Sequence, residues 1–173
     1  VGNANPDLMD TWNASTVAAG AENTYMGVTG FTIPGGEEVT NVVAQLVRAG
    51  DGGWFGTPGS DSTSAANLVI PTLQTTSDGG TTWSDLANTN DYLAVMTDAT
   101  NLPTNPNYFT VNFDFAGQTG IDGVRLIGPN GGSADGGFAG VAEFEVNTTT
   151  IPEPSALALI GLFGLGLITR RRR

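Results

Sequence analysis

Cysteine, histidine and lysine are all absent from the 173 residues. Without cysteine there is no disulfide, no thiolate metal site and no sulfur nucleophile. Without histidine the chain lacks the side chain that most often acts as general base, as metal ligand and as partner of a nucleophilic serine. Six arginines are then the whole cationic complement, against 17 acidic residues and a net charge of −11. Long helix-favouring runs of Ala, Leu, Glu and Lys are also missing ahead of the C-terminal stretch. Gly, Ser, Thr, Asn and Asp abound instead, a composition that suits strands joined by turns. The length allows one domain with a real core and is short for two.

The charge is unevenly distributed. Residues 1–150 carry sixteen acids and two arginines, Arg48 and Arg125, for a formal charge of −14. Residues 151–173 carry Glu153 and four arginines, for a formal charge of +3. A body this acidic repels phosphate backbones, so no nucleic acid is expected as a partner. Two readings of the acidity stay open. One is a well-hydrated surface; the other is carboxylates and carbonyls gathered around a divalent cation such as Ca2+. The sequence begins at Val1 with no basic and apolar leader after it, which fits either a removed export signal or a fragment.

Residues 1–38 are polar with little periodicity, and a short strand is expected at 25–33 with Met26, Val28 and Phe31 inward. Residues 39–48 (VTNVVAQLVR) are β-branched and end near Gly50, a good strand. Residues 50–56 then read as a glycine-rich loop carrying Trp54 and Phe55, followed by a polar loop to residue 67. Residues 68–76 and 81–86 flank Ser77-Asp78-Gly79-Gly80, a hairpin signal, with Pro71 placing the first strand at an edge or starting it after the proline. A longer irregular connection is expected over 87–107. In 108–115, Phe109, Val111, Phe113 and Phe115 alternate with Thr110, Asn112 and Asp114, so one face is buried and one is wet. Residues 123–127 form another strand, followed by a turn-rich stretch to 137. The last strand, 141–146, sets Ala142, Phe144 and Val146 against Val141, Glu143 and Glu145. Short strands, glycine-rich turns and no helical period predict an all-β antiparallel sandwich or jelly roll over residues 1–150.

The tail differs from all of this. Residues 156–168 (ALALIGLFGLGLI) are apolar or glycine throughout. As a helix they would span roughly 20 Å at about 1.5 Å per residue, against a hydrocarbon core about 30 Å thick. That is short for a permanent span, although arginine stems can extend the reach by running along apolar surface to the headgroups. The stretch has no polar face and is followed by Arg170, Arg171, Arg172 and Arg173, which would hold that end cytoplasmic and leave residues 1–150 outside. Ahead of it, Pro152 and Pro154 cannot enter a regular ladder, and Glu153 is pushed toward an extended form. Pro152-Glu153-Pro154, the apolar stretch and the arginine cluster, in that order, resemble the PEP-CTERM sorting signal. The resemblance implies recognition by an exosortase, an integral-membrane enzyme that cleaves near the tripeptide. It also implies passage to the cell surface or extracellular matrix, typically in bacteria that make exopolysaccharide. The chain would be that enzyme's substrate.

Residues 73–86 (LQTTSDGGTTWSDL), 108–115 (YFTVNFDF), 123–128 (GVRLIG) and 136–146 (GGFAGVAEFEV) resemble the galactose-binding-like, discoidin-type β-sandwich. The resemblance implies a Ca2+ whose last-strand ligand corresponds to Glu143. On its pattern alone, Glu143 reads as a solvent-facing strand residue. Trp54 and Phe55 fit either stacking against sugar or capping the sandwich edge, and Trp83 and Trp12 admit the same pair of readings. Arg48 and Arg125 are each expected to pair with a carboxylate. No acid is matched to a base, so catalysis is not expected; a small glycan-active enzyme would need a carboxylate pair. The expected function is therefore an exported, non-catalytic surface or matrix protein, with a Ca2+-dependent carbohydrate-binding module as the alternative.

Overall fold

The computed structural model describes residues 9–11, 23–48, 52–57, 59–60, 62–97, 107–132 and 137–151. These residues are almost entirely β: β1 (Met9–Thr11), β2 (Asn23–Thr29), β3 (Glu37–Arg48), β4 (Gly52–Phe55), β5 (Thr72–Thr76), β6 (Ser84–Asp85), β7 (Thr89–Asn90), β8 (Asn107–Gln118), β9 (Gly123–Gly132) and β10 (Ala139–Thr150). One helix, α1 (Tyr92–Met96), lies between β7 and β8. The strands join into a single sheet that curls on itself, giving the expected sandwich-like all-β fold.

Two antiparallel ribbons make up the curl. In one, β10 pairs with β3, β3 with β8, and β8 with β7, while β1 takes the other edge of β10. In the other, β9 lies between β2 and β5, and β6 follows β5. The strand that links them is β4, antiparallel to β9 and parallel to β10 where Ala139 faces Gly53. Between the ribbons, Val42, Ala44, Leu46, Phe109, Val111 and Phe113 meet Met26, Leu73, Val124 and Leu126 in one apolar core. Each of these side chains larger than alanine contributes roughly 1.5–3 kcal/mol through burial.

The alternation in β8 follows the sequence pattern. Phe109, Val111 and Phe113 are buried, Thr110 and Asp114 exposed. The β2 strand stops at Thr29 rather than running to Ile33. Gly30 turns the chain at φ 81, and the Gly30 N–H donates to the Asp122 carbonyl at 2.7 Å. Met26 is buried as expected, with Val28 and Phe31 packed partly against the core. β5 starts after Pro71 and pairs with β6 through Gln74–Asp85 and Thr75–Ser84, so the Asp-Gly hairpin forms where expected.

Three expectations are corrected. The glycine-rich segment around Trp54 and Phe55 is not a loop: Gly52 to Phe55 form a strand with every residue buried. Its rings fit because β9 and the β4 exit offer glycine opposite them. A Cβ at Gly131 would come within 2.1 Å of Trp54 Nε1, and one at Gly128 within 3.0 Å of Phe55. This packing also carries β9 five residues past its expected end, as far as Gly132. Next, the connection after residue 87 is not wholly irregular. Helix α1 buries Tyr92 and Met96, and the Tyr92 hydroxyl donates to the Phe55 carbonyl at 2.6 Å and accepts from the Phe55 N–H at 2.9 Å. Burial pushes the Tyr92 hydroxyl pKa upward, so it stays a donor. Losing it would leave the buried Phe55 N–H without this acceptor and the Phe55 carbonyl with only the Val69 N–H at 3.3 Å, at a cost of about 1–3 kcal/mol. Finally, Val141 does not share the wet face of Glu143. A register shift between them turns Val141 into the core at 1% exposure.

Candidate functional site

The outer face of the β2–β9–β5–β6 ribbon brings together side chains that are far apart in sequence. Arg125 on β9 faces Gly27 on β2 and Gln74 on β5. Gly27 is required there, since a Cβ would lie 2.6 Å from the Cα and Cβ of Arg125. The guanidinium carbon sits 5.0 Å from the Tyr25 ring centre and 4.2 Å from that of Trp83. Trp83 returns from the hairpin and is held by its Nε1–H, which donates to the Gly80 carbonyl at 2.9 Å. Arg125 Nε donates to Gln74 Oε1 at 2.8 Å, and Gln74 Nε2 donates to Asp85 Oδ1 at 2.7 Å.

Arg125 is thus held by two ring faces and an amide, and Asp85 lies one hydrogen bond further off. Among the described residues, these contacts stand where a direct carboxylate partner was expected. Each cation–π contact contributes about 0.5–1 kcal/mol at such an exposed site. Burial lowers the guanidinium pKa from its ordinary value while Tyr25 opposes the shift; an arginine nonetheless keeps its charge. Tyr25 remains 57% exposed, the most exposed large hydrophobic residue described.

The hairpin that presents Trp83 is organised by Asp78. Its Oδ1 accepts from the Thr76 hydroxyl at 2.8 Å and from the Thr82 N–H at 2.9 Å, and its Oδ2 accepts from the Thr82 hydroxyl at 2.6 Å. These bonds, those from Thr82 foremost, hold its pKa down to about 2 from an ordinary 3.8. A depressed carboxylate contributes its stabilisation in full above the unfolded value and loses it as pH falls through the folded one. We therefore expect exchange protection of the Thr82 amide to be constant from neutral pH to about 4 and to drop between there and about 2. Two-dimensional NMR across that range checks this, and unchanged protection at pH 2 would contradict it.

The residues singled out in the sequence are distributed differently. Trp54 and Phe55 are 1% and 0% exposed, so neither ring offers a face for sugar stacking. Glu143 is exposed on β10 opposite Gln45, on the outer face of the other ribbon. Among the described residues no three acidic side chains come together to hold a metal. Along that outer face, Asn147 Nδ2 donates to Asn41 Oδ1 at 3.0 Å and Asn41 Nδ2 to Asp114 Oδ1 at 2.7 Å. An open depression of about 450 Å³ beside Asp114 is lined by Ala87, Asn88, Thr89, Phe115 and Ala116. It holds one carboxylate, not the pair that glycoside hydrolysis uses. Arg48 is buried at the end of β3, and Trp12 lies outside the described residues. The Tyr25–Arg125–Trp83 grouping is not among the sites expected from the sequence; its one legible sign is that Tyr25 adjoins Met26 and Arg125 sits between Val124 and Leu126, all three buried.

At the far end of β10, Thr148, Thr149 and Thr150 stay paired with Val39, Glu38 and Glu37, and the Ile151 N–H donates to the Gly36 carbonyl at 2.8 Å. The next residue is Pro152. Residues 150–173 match the PEP-CTERM protein-sorting motif. The chain therefore carries a PEP-CTERM tail on a β domain, with no spacer between the last ladder hydrogen bond and the Pro-Glu-Pro. The motif makes it an exported protein handled by an exosortase, passing through a membrane-anchored intermediate to the cell surface. The whole chain matches no curated protein. Pro152, Glu153, Pro154, the apolar stretch 156–168 and Arg170 to Arg173 lie outside the described residues, and no helix among the described residues is long and apolar enough to cross a membrane.

Proposed function

We propose that residues 1–150 are a single non-catalytic cargo domain, galactose-binding-like in type, that the PEP-CTERM tail delivers to the cell surface to serve in an exopolysaccharide-associated matrix. The observation that carries this reading is the direct junction between β10 and the tail, because it sets the sorting signal immediately after the last strand of the domain. The Arg170–Arg173 cluster stays on the cytoplasmic side, since moving it through the bilayer is costly, and residues 156–168 hold the intermediate while the exosortase cleaves near Pro152–Pro154.

Fractionation of producing cells tests the destination. The protein is expected in the matrix and outer-surface fractions, and to leave them when exopolysaccharide synthesis is blocked. Recovery unchanged by that block would overturn the exopolysaccharide association.

A further inference from the structure

We propose that the Tyr25–Arg125–Trp83 face is a binding site for neutral polysaccharide. The inference deepens the exopolysaccharide reading above and rests on it. Its first support is exposure: Tyr25 presents a ring that is 57% accessible between the buried Thr24 and Met26. A flat aromatic face takes the apolar C–H face of a pyranose.

The second support is the polar inventory. Of the Arg125 nitrogens, Nε is occupied by Gln74, and the two terminal ones make no hydrogen bond to any described residue. They are charged donors in a fixed plane. Asp85 gives one carboxylate oxygen to Gln74 and keeps the other as an acceptor. Arg125, Gln74 and Asp85 form a row over β9, β5 and β6, a span of about 10 Å at the usual spacing of adjacent strands. Sugar hydroxyls donate and accept at once, and planar side chains of both kinds in a row suit them. Because the rings and Gln74 already hold the guanidinium, little side-chain freedom is lost on binding.

Charge decides the class of ligand. An arginine with free terminal nitrogens is also the natural partner of a carboxylate, so a uronic-acid polymer is the competing ligand. Yet this arginine is one of two cations in a body of formal charge −14, and Asp85 stands in the same row. A polyanion would meet the field of the whole domain at every repeat, while a neutral chain meets none of it.

Affinity electrophoresis of the mature secreted protein, in native gels containing dextran, galactan or glucomannan and in parallel gels containing alginate, tests the site. Retardation by at least one neutral polymer is expected, weakened about tenfold by Tyr25→Ala and by Arg125→Lys, and unchanged by Tyr108→Ala on the other ribbon. Thermal melts verify folding, and the exposed Tyr25 keeps the test decisive if the arginine variant is unstable. Retardation by alginate alone, by no polymer, or equally in wild type and Tyr25→Ala would overturn the site. If those gels fail while fractionation still finds exopolysaccharide-dependent protein in the matrix, only this site falls; if the matrix association itself is lost, the broader reading falls.

Discussion

Trp54→Ala is expected to destabilise the domain by about 3–5 kcal/mol, the usual cost of removing a buried indole. For a domain of this size that lowers the melting temperature by on the order of 10 °C. The ring is 1% exposed, and it is enclosed by backbone: Cβ atoms at Gly131 and Gly56 would lie 2.1 and 2.9 Å from its Nε1. The cavity left behind cannot close easily, because β4 is fixed by hydrogen bonding to both β9 and β10. Gly131→Ala should be destabilising by itself, since its new methyl group runs into the ring. In a Trp54→Ala background that penalty should largely disappear, so the two changes are strongly non-additive. Urea denaturation of the two single variants and the double variant measures the coupling. Wild-type stability for Trp54→Ala would place the indole at the surface and reopen a ligand role for it.

That core position also marks where the sequence stopped being legible. The period-two pattern of residues 108–115 announced β8 because a half-buried strand writes its own alternation, and Asp78-Gly79 announced the hairpin because turn chemistry is local. Gly52-Gly53-Trp54-Phe55 gave no such sign. What makes a buried strand of it is glycine supplied by Gly128 and Gly131, over seventy residues away, and no local window contains that complementarity. Val141 was misplaced for a related reason: one extra residue at a register shift inverts every side chain beyond it, and the shift depends on the partner strand. The outer-face cluster was hidden in the same way. Tyr25, Gln74, Trp83 and Arg125 come from separate elements, and only the order of β2, β9 and β5 brings them together. The sorting motif at 150–173, in contrast, is legible in the sequence, since its parts act through order and composition.

Deleting Arg170–Arg173 is expected to have the largest effect on the life of the protein: little or no mature form, with precursor accumulating or misplaced. Each arginine carried to the middle of a bilayer costs about 2.5–3.5 kcal/mol, so four oppose translocation by on the order of 10 kcal/mol. Without them, a thirteen-residue apolar stretch containing three glycines has nothing to fix its direction or its stop. Immunoblotting of cell and medium fractions distinguishes precursor from product. Normal maturation of the truncated chain would show that the arginines are not needed for sorting.

The domain ends its ladder at Ile151, and the cleavage signal begins at the following residue. Processing should therefore leave the β domain intact and remove the apolar stretch together with the arginines. Mass spectrometry of the C-terminal peptide of the protein recovered from the cell surface or medium reads this directly. A terminus at or near Pro152–Pro154, with residues 156–173 absent, is the predicted result. A surface protein that still ends in Arg170–Arg173 would contradict it.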